Sequence, residues 1–137
     1  MRVILDTNVW VSGLLFPHSN AGKILKEWQR ARFEIVVFPY LLEEIGRVLA
    51  YPKIKKRLQW DEAKIQNYLD FLMFFAEFID SKEHSGHVER DPNDSPILSA
   101  LINSKADFLV SGDNDLLSLK EEYPVLSIIE YLNRMGR

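Results

Sequence analysis

The chain has 137 residues, 47% of them hydrophobic and 27% charged, which is typical of one globular domain, so we expect a single domain over residues 1–137. Its net charge of −3 disfavours a general nucleic-acid binder, and the absence of cysteine excludes disulfides and thiolate metal sites. No apolar run reaches the roughly 18 residues of a membrane span, and the N-terminal segment lacks a signal-peptide layout. These features predict a cytoplasmic protein without membrane association.

Apolar segments of strand type and of helix type alternate along the chain. Stretches rich in β-branched residues predict strands, and apolar residues at helical spacing predict helices. In chain order, the predicted elements are a strand at 3–5, a helix at 21–31, a strand at 34–38, helices at 41–49 and 61–78, a helix starting at Pro96, a strand and turn at 107–112, an edge strand at 125–129 and a short terminal helix. This alternation predicts βαβ units and an α/β fold whose parallel sheet is covered on both faces.

Single residues mark several of these boundaries. Pro52 is expected to close the helix at 41–49, and Asp61 to be the N-cap of the helix that follows. Residues 81–94 are mostly polar and predict a loop. The phenylalanines between positions 71 and 78 belong to the broad apolar face of the helix at 61–78. We therefore expect them in the core rather than on a stacking surface.

Four acidic residues lie far apart in the sequence, at positions that an α/β fold brings together. Asp6 and Asp113 each follow an apolar run of strand type, while Glu44 and Asp94 lie on, or at the start of, helical segments. Ligands of an open parallel sheet bind outside the carboxyl ends of its strands, so we expect these carboxylates to converge there. Two such charges at about 4 Å repel by roughly 4 kcal/mol at an effective dielectric constant near 20, which a cation would relieve. Hard oxygen ligands indicate Mg²⁺ or Mn²⁺.

The first two acids also have structural interpretations. Asp6 is a favourable N-cap for a following helix, although Asn8 adds a polar group that could bind metal-held water or orient the carboxylate. Helical geometry separates the two adjacent glutamates. Glu43 points to water, opposite the apolar stripe of its helix, whereas Glu44 lies at the border of that stripe, about 100° from its centre. Glu44 is therefore the better ligand candidate, and an exposed helical residue is the alternative.

The third acid lies at the predicted start of a helix. Pro96 fits the first helical position and Ser95 fits the N-cap, which leaves Asp94 without a capping role at the positive end of the helix. Such a carboxylate stays ionised and available to a metal. Asp91 is a less favourable substitute.

The fourth acid belongs to the turn after the strand at 107–112. Asp113 lies nearer the end of the strand and is the stronger ligand candidate. Asp115 is better explained as the N-cap of a short helix that begins at Leu116. Ser111 would support Asp113 or contact phosphate.

A short basic run concentrates positive charge in the middle of the chain. It comprises Lys53, Lys55, Lys56 and Arg57. One interpretation is a solvated loop or helix start. The other is a patch that contacts RNA phosphates beside the acidic centre.

The segments ILDTNV, LLEEIGRVL, DPNDSPILSAL and DFLVSGDNDLL, in this order, resemble the PIN-domain family of metal-dependent ribonucleases. The closest similarity is to the toxin components of toxin–antitoxin systems, and it extends from Arg2 to about Ile129. The resemblance implies a three-layer α/β/α sandwich with a mostly parallel five-stranded sheet. It also implies endonucleolytic cleavage of RNA with Mg²⁺ or Mn²⁺, frequent homodimers and inhibition by a cognate antitoxin.

The same resemblance assigns roles to individual residues. The positions that hold metal and carry catalysis in the family match Asp6, Glu44, Asp94 and Asp113, with Asp115 as a fifth candidate acid. The supporting polar positions match Thr7, Asn8 and Ser111, the last of which is Thr in many members. The family's acidic set is complete in this chain, so the resemblance implies an active enzyme.

Two other functions remain open beside the leading prediction of a toxin endoribonuclease. A non-catalytic module on the same fold would bind RNA or a protein partner without cleavage in Mn²⁺. A Mg²⁺-dependent phosphomonoester hydrolase of the haloacid-dehalogenase type would turn over a small phosphate ester. Asn8 disfavours the hydrolase, because that family requires an aspartate two residues after its first one.

Overall fold

Strands and helices alternate along the chain, as the apolar pattern predicts. The computed structural model describes residues 1–80 and 95–136, so the predicted loop at 81–94 lies outside the described residues, together with Asp91 and Asp94. The strands are β1 (Arg2–Leu5), β2 (Glu34–Val37), β3 (Glu77–Phe78), β4 (Phe108–Val110) and β5 (Val125–Leu126). The helices are α1 (Thr7–Leu15), α2 (Asn20–Gln29), α3 (Pro39–Leu49), α4 (Pro52–Leu58), α5 (Glu62–Phe75), α6 (Ser95–Ser104), α7 (Asn114–Leu117) and α8 (Ile128–Met135).

The five strands form one sheet in the order β3-β2-β1-β4-β5, and all neighbouring strands are parallel. The chain builds outwards from β1 to β3 and then returns to place β4 on the other side of β1. The strand order therefore reverses between β1 and β4, which is where open α/β sheets form their ligand crevice.

Helices cover both faces of this sheet. In β1, Val3, Ile4 and Leu5 are all fully buried, although successive strand residues point to opposite faces. A strand buried on both sides requires a layer of helices on each side. The predicted α/β/α sandwich with a five-stranded sheet is confirmed, and the sheet is parallel throughout. Across the described residues, no helix has both the length and the apolar character needed to cross a bilayer.

Two proline residues start helices, and for Pro52 the sequence predicted only the end of the preceding helix. Pro39 and Pro52 each occupy the first turn of a helix, α3 and α4 respectively. Proline is tolerated there because the first N–H groups of a helix have no partner within the helix. The basic run consequently lies on a helix and not in a loop.

The end of α5 differs from the prediction of a helix up to residue 78. Asp61 caps α5 as predicted and accepts a hydrogen bond from the Lys64 amide at 2.8 Å. Ala76 then adopts an extended conformation, and the next two residues pair with β2 as the edge strand β3. This long-range pairing outweighs the local helical pattern.

The phenylalanine prediction is wrong. Phe74 and Phe75 are 80% and 61% exposed, and Phe71 and Phe78 also have exposed rings. The reason is that α5 packs against the rest of the fold along only one side, where Leu72 is fully buried.

Candidate functional site

The carboxyl ends of β1 and β4 place Asp6 and Ser111 side by side. The two strands are held together at this end by a hydrogen bond from the Asp6 amide to the Val110 carbonyl at 2.9 Å. The Ser111 hydroxyl donates to Asp6 Oδ2 at 2.8 Å, and both residues are buried. Ser111 Oγ also accepts from the Asp113 amide at 2.9 Å. Because a serine hydroxyl has one proton, Ser111 orients the Asp6 carboxylate and not that of Asp113.

Asp6 is at once a helix cap and a member of the site. Its Oδ1 accepts a hydrogen bond from the Thr7 amide at 2.9 Å, which makes it the N-cap of α1. Each carboxylate oxygen has two lone pairs, so one hydrogen bond to each oxygen leaves acceptor capacity for a cation. The two interpretations of Asp6 are therefore compatible.

Glu44 faces the site from α3, and Glu43 is exposed on the same helix. The Thr7 hydroxyl donates a hydrogen bond to Glu44 Oε1, and Arg47 Nη2 lies 3.7 Å from Glu44 Oε2. Thr7 thereby links α1 to α3. The Arg47 side chain is 62% exposed, so solvent weakens its hold on the glutamate.

In the turn after β4, the helix-capping role belongs to a different aspartate from the one that was predicted. Asp113, not Asp115, is the N-cap of α7, and its Oδ1 accepts from the Asp115 amide at 2.9 Å. The short helix begins at Asn114, since β4 ends at Val110 and Asp113 has the extended conformation that an N-cap requires. Asp115 is exposed in the first turn of α7.

Three of the predicted acids border one cavity of about 170 Å³. Its polar wall consists of Asp6, Glu44 and Asp113 together with Thr7 and Asn8. Its remaining wall consists of Tyr40, Leu41, Val48, Ile97 and Leu116. Asp115 does not line this cavity, and Asp94 lies outside the described residues. The structure thus brings together residues from four separate segments of the predicted fold.

The cavity is electrostatically unfavourable for its own carboxylates. Burial is the main cause that raises the pKa of Asp6, and the charges of Glu44 and Asp113 raise it further. The hydrogen bonds from Ser111 and Thr7 act in the opposite direction. A divalent cation would neutralise this charge, and donors that are all oxygen suit Mg²⁺ or Mn²⁺.

The described carboxylates share the cavity but do not form a full coordination set. Within residues 1–80 and 95–136, no three acidic or histidine side chains lie close enough together to enclose a metal ion. The oxygen donors of these side chains fit a divalent ion. In this arrangement, Asp6 and Glu44 are hydrogen-bonded to neighbouring protein groups.

The basic run lies on α4, apart from the acidic cavity. Lys53, Lys56 and Arg57 are exposed, and Lys55 is half-buried. The Arg57 guanidinium lies 4.8 Å from the centre of the Phe16 ring, a cation–π contact. Helix α4 packs against α1 and α3, the two helices that carry part of the cavity wall.

Sequence reasoning missed Tyr40 as part of the cavity wall. Tyr40 precedes Glu44 by four residues, and this spacing places both side chains on one face of α3. The spacing was therefore a usable signal once Glu44 had been chosen as a ligand candidate.

A parallel α/β/α sandwich with carboxylates gathered at its strand ends defines the class of this chain. The chain belongs to the PIN domain family, whose model matches residues 2–115. Members of this family are in general metal-dependent nucleases. The assignment confirms the family that the sequence motifs resemble.

Two known proteins are similar to this chain. It is 32% identical to the uncharacterized protein MJ1680 of Methanocaldococcus jannaschii over 128 residues, which are 93% of this chain and 81% of that protein. Its fold is similar to a chain in the crystal structure of VapBC2 from Rickettsia felis bound to a DNA fragment from their promoter. That similarity has a TM-score of 0.60 and 19% identity, and covers 93% of this chain and 98% of the other. At this identity the similarity concerns the fold alone.

Proposed function

We propose that the chain is a Mg²⁺- or Mn²⁺-dependent endoribonuclease that hydrolyses RNA phosphodiester bonds in the cytoplasm. One observation carries the proposal: Asp6, Glu44 and Asp113 come from separate segments and line one cavity at the carboxyl ends of the strands. Membership of the PIN domain family supports it. Within the proposal, Asp94 is the fourth acid, and Asp115 is a peripheral candidate because it does not line the cavity.

The chain's own residues hold the acids in place for this reaction. Ser111 and the Thr7 amide orient the two oxygens of Asp6, and the Thr7 hydroxyl orients Glu44. Asn8 adds an amide to the same cavity wall. A divalent ion bound by these carboxylates would polarise the phosphate and lower the pKa of an attacking water. The buried Asp6 would then be held ionised by the ion's charge.

We include two macromolecular partners in the proposal. The basic run Lys53, Lys55, Lys56 and Arg57 would contact RNA phosphates from α4, next to the helices of the cavity. The second partner is a cognate antitoxin, which would make this chain the toxin of a pair. Its support is the toxin-like motif order and the fold shared with a chain of VapBC2, which was solved with promoter DNA.

The adjacent glutamates of α3 offer a matched test of the proposal. Glu44→Gln should reduce Mn²⁺-dependent cleavage of RNA by at least about 10-fold, because it removes a charge from the cavity. Glu43→Gln alters the same helix one position away, on the exposed face, and should leave cleavage within about twofold. Cleavage of a labelled RNA is followed in Mn²⁺ and in chelator.

The outcomes of that test separate the functions. Equal loss in both variants, or no loss in Glu44→Gln, would contradict the assignment of Glu44. Binding of RNA by the wild type without any cleavage in Mn²⁺ would support the non-catalytic module instead.

We also propose that the chain forms a homodimer through the apolar end of α5. Phe71, Met73, Phe74, Phe75 and Phe78 are all at least one third exposed. Large side chains of this kind have roughly 200 Å² of surface each, so the exposed surface of the five residues is on the order of 500 Å² per protomer. A stable interface needs about 800 Å² from each partner, so this patch would form its core.

The same face has both a protrusion and a recess, as a twofold interface requires. Phe74 projects into solvent with 80% of its surface exposed. Beside it lies a groove of about 760 Å³, whose lining includes Trp28, Phe33, Ile35 and Phe75. Phe74 of one protomer would enter this groove on its partner, and the reverse contact would follow by symmetry.

Sedimentation of two charge variants tests the dimer. Phe74→Glu should convert the dimer to a folded monomer, because a buried unpaired carboxylate is unfavourable in an apolar interface. Ile129→Glu is the matched control, since Ile129 is 51% exposed on α8, a different helix from the one that carries the patch, and this variant should remain dimeric. A wild type that is monomeric across a concentration series, or a dimer that persists in Phe74→Glu, would contradict the proposal.

A further inference from the structure

The ring of Tyr40 is an exposed aromatic surface on the wall of the acidic cavity. Tyr40 lies in the first turn of α3 and is 44% exposed. Among the residues that the structure describes, no aromatic ring stacks on it. The Tyr40 ring is largely apolar, so the negative charge of the three nearby carboxylates does not stabilise it in this exposed position. Its placement points to a ligand that brings an apolar face to an acidic site.

The wall of the cavity combines two kinds of chemistry. Carboxylates and a hydroxyl supply its polar part, and the Tyr40 ring together with the aliphatic side chains of Leu41, Val48 and Ile97 supplies its apolar part. A nucleotide has the same division, with a charged phosphate at one end and a flat, largely apolar base at the other. The carboxylates would meet the phosphate through a cation, and the Tyr40 ring would meet the base.

The spacing along α3 suits a phosphate and the base of a neighbouring nucleotide. Tyr40 and Glu44 are four residues apart on the same helical face, which corresponds to roughly 5–6 Å between their Cβ atoms. A phosphate bound near Glu44 therefore has the base of an adjoining nucleotide within reach of the Tyr40 ring.

We propose that Tyr40 is a positioning residue that stacks on an unpaired nucleobase next to the scissile phosphate. The inference rests on the proposed ribonuclease function. A base can stack on a side chain only when it is not stacked within a duplex, so the ring selects unpaired RNA. Stacking is insensitive to salt, and it supplies affinity that the negatively charged cavity wall does not.

Binding of fluorescent RNA tests this assignment independently of turnover. The probes are single-stranded oligonucleotides that carry 2-aminopurine at each position in turn, mixed rapidly with protein in Mn²⁺ so that quenching is recorded before cleavage. Wild type should quench the fluorophore at one or two positions only. Tyr40→Ala should lose that quench and bind about 5- to 150-fold more weakly, whereas Tyr40→Phe should stay within about twofold of wild type.

Salt dependence and kinetics separate stacking from charge. Tyr40→Ala should weaken binding by the same factor at every salt concentration and raise KM with little change in kcat. A double variant of Lys55 and Lys56 to Glu should instead flatten the salt dependence. Tyr40→Leu keeps an apolar side chain without a ring, so it serves if Tyr40→Ala is poorly folded, and it should bind as weakly as Tyr40→Ala.

The possible results have distinct meanings. Wild-type affinity in Tyr40→Ala and Tyr40→Leu overturns the inference and leaves the ribonuclease proposal standing. Tyr40→Phe as weak as Tyr40→Ala shows a role for the hydroxyl and overturns stacking. Equal binding of a duplex of the same sequence overturns the selection of single strands. A wild type that neither binds nor cleaves RNA overturns both proposals.

Discussion

Replacing Asp6 with Asn should reduce metal-dependent RNA cleavage by at least about 100-fold, the upper range for loss of a group that only supports a metal ligand. Asn keeps the shape of the side chain and can still accept the hydrogen bond from the Thr7 amide through its Oδ1, while its Nδ2 would donate to the Ser111 hydroxyl instead of accepting from it. It removes the buried charge at the centre of the cavity. We therefore expect a folded protein with a normal cap on α1 and no effective cation site.

The Asp6→Asn variant should lose most of the stabilisation that a divalent ion gives to the wild type, and it should lose no stability in the absence of metal. A divalent ion at 100 times its Kd would stabilise the wild type by about 2.7 kcal/mol, and should stabilise Asp6→Asn far less. In chelator at pH 7 the variant should be at least as stable as the wild type, because it lacks a buried carboxylate repelled by Glu44 and Asp113. Thermal unfolding in Mn²⁺ and in chelator measures both effects.

The pH dependence in chelator follows from the raised pKa of Asp6. The folded state holds the proton of Asp6 more tightly than the unfolded state, whose ordinary value is 3.8. The stability that this proton contributes is present below pH 3.8 and is lost as the pH rises through the folded pKa. The advantage of Asp6→Asn over the wild type should therefore shrink as the pH falls towards 3.8. A variant that is less stable in chelator and still responds to Mn²⁺ would show that Asp6 serves only as a cap.

The largest structural effect is expected from Gly22→Ala in the first turn of α2. A Cβ at this position would lie 2.2 Å from the Pro17 carbonyl oxygen and 2.5 Å from its carbonyl carbon. These are backbone atoms, and the loop is held against the helix by Ser19, which accepts a hydrogen bond from the Gly22 amide and donates one to Phe16. We expect a loss of about 1–3 kcal/mol in the free energy of unfolding, although alanine is the better helix former.

Gly112→Ala is the matched control for this prediction. An added Cβ at Gly112 has no atom within 4 Å, so the free energy of unfolding should change by no more than about 0.5 kcal/mol. Urea denaturation of both variants and the wild type in chelator measures the difference. If Gly22→Ala unfolds at the same urea concentration as Gly112→Ala, the loop at Pro17 can move without loss, and the tight contact is not important for stability.

Local rules were sufficient for the residues whose role depends on their own strand or helix. Asp6 and Asp113 follow strands, and in a parallel sheet all strands end at the same edge, so their convergence could be predicted from the sequence alone. Helical geometry likewise selected Glu44 over Glu43, and the structure places only Glu44 on the cavity wall. Their proposed role in holding metal remains a prediction for experiment.

Predictions from the local sequence pattern were wrong where pairing with, or the end of, another element determines the conformation. Residues 77–78 continue a helical pattern, yet they pair with β2, whose edge is available only in the folded sheet. Asp113 took the capping role predicted for Asp115, because β4 ends three residues earlier and leaves Asp113 in an extended conformation.

By itself, the sequence determined the alternating elements, the parallel sheet and the acids that follow its strands, because apolar periodicity and chain order express those features locally. Only the tertiary structure decided that Ser111 donates to Asp6, that the phenylalanines of α5 face solvent and that Tyr40 borders the acidic cavity. Each of these depends on which distant surface packs against a side chain. Periodicity shows that a residue is apolar or polar, whereas its partner is set by the packing of the whole fold.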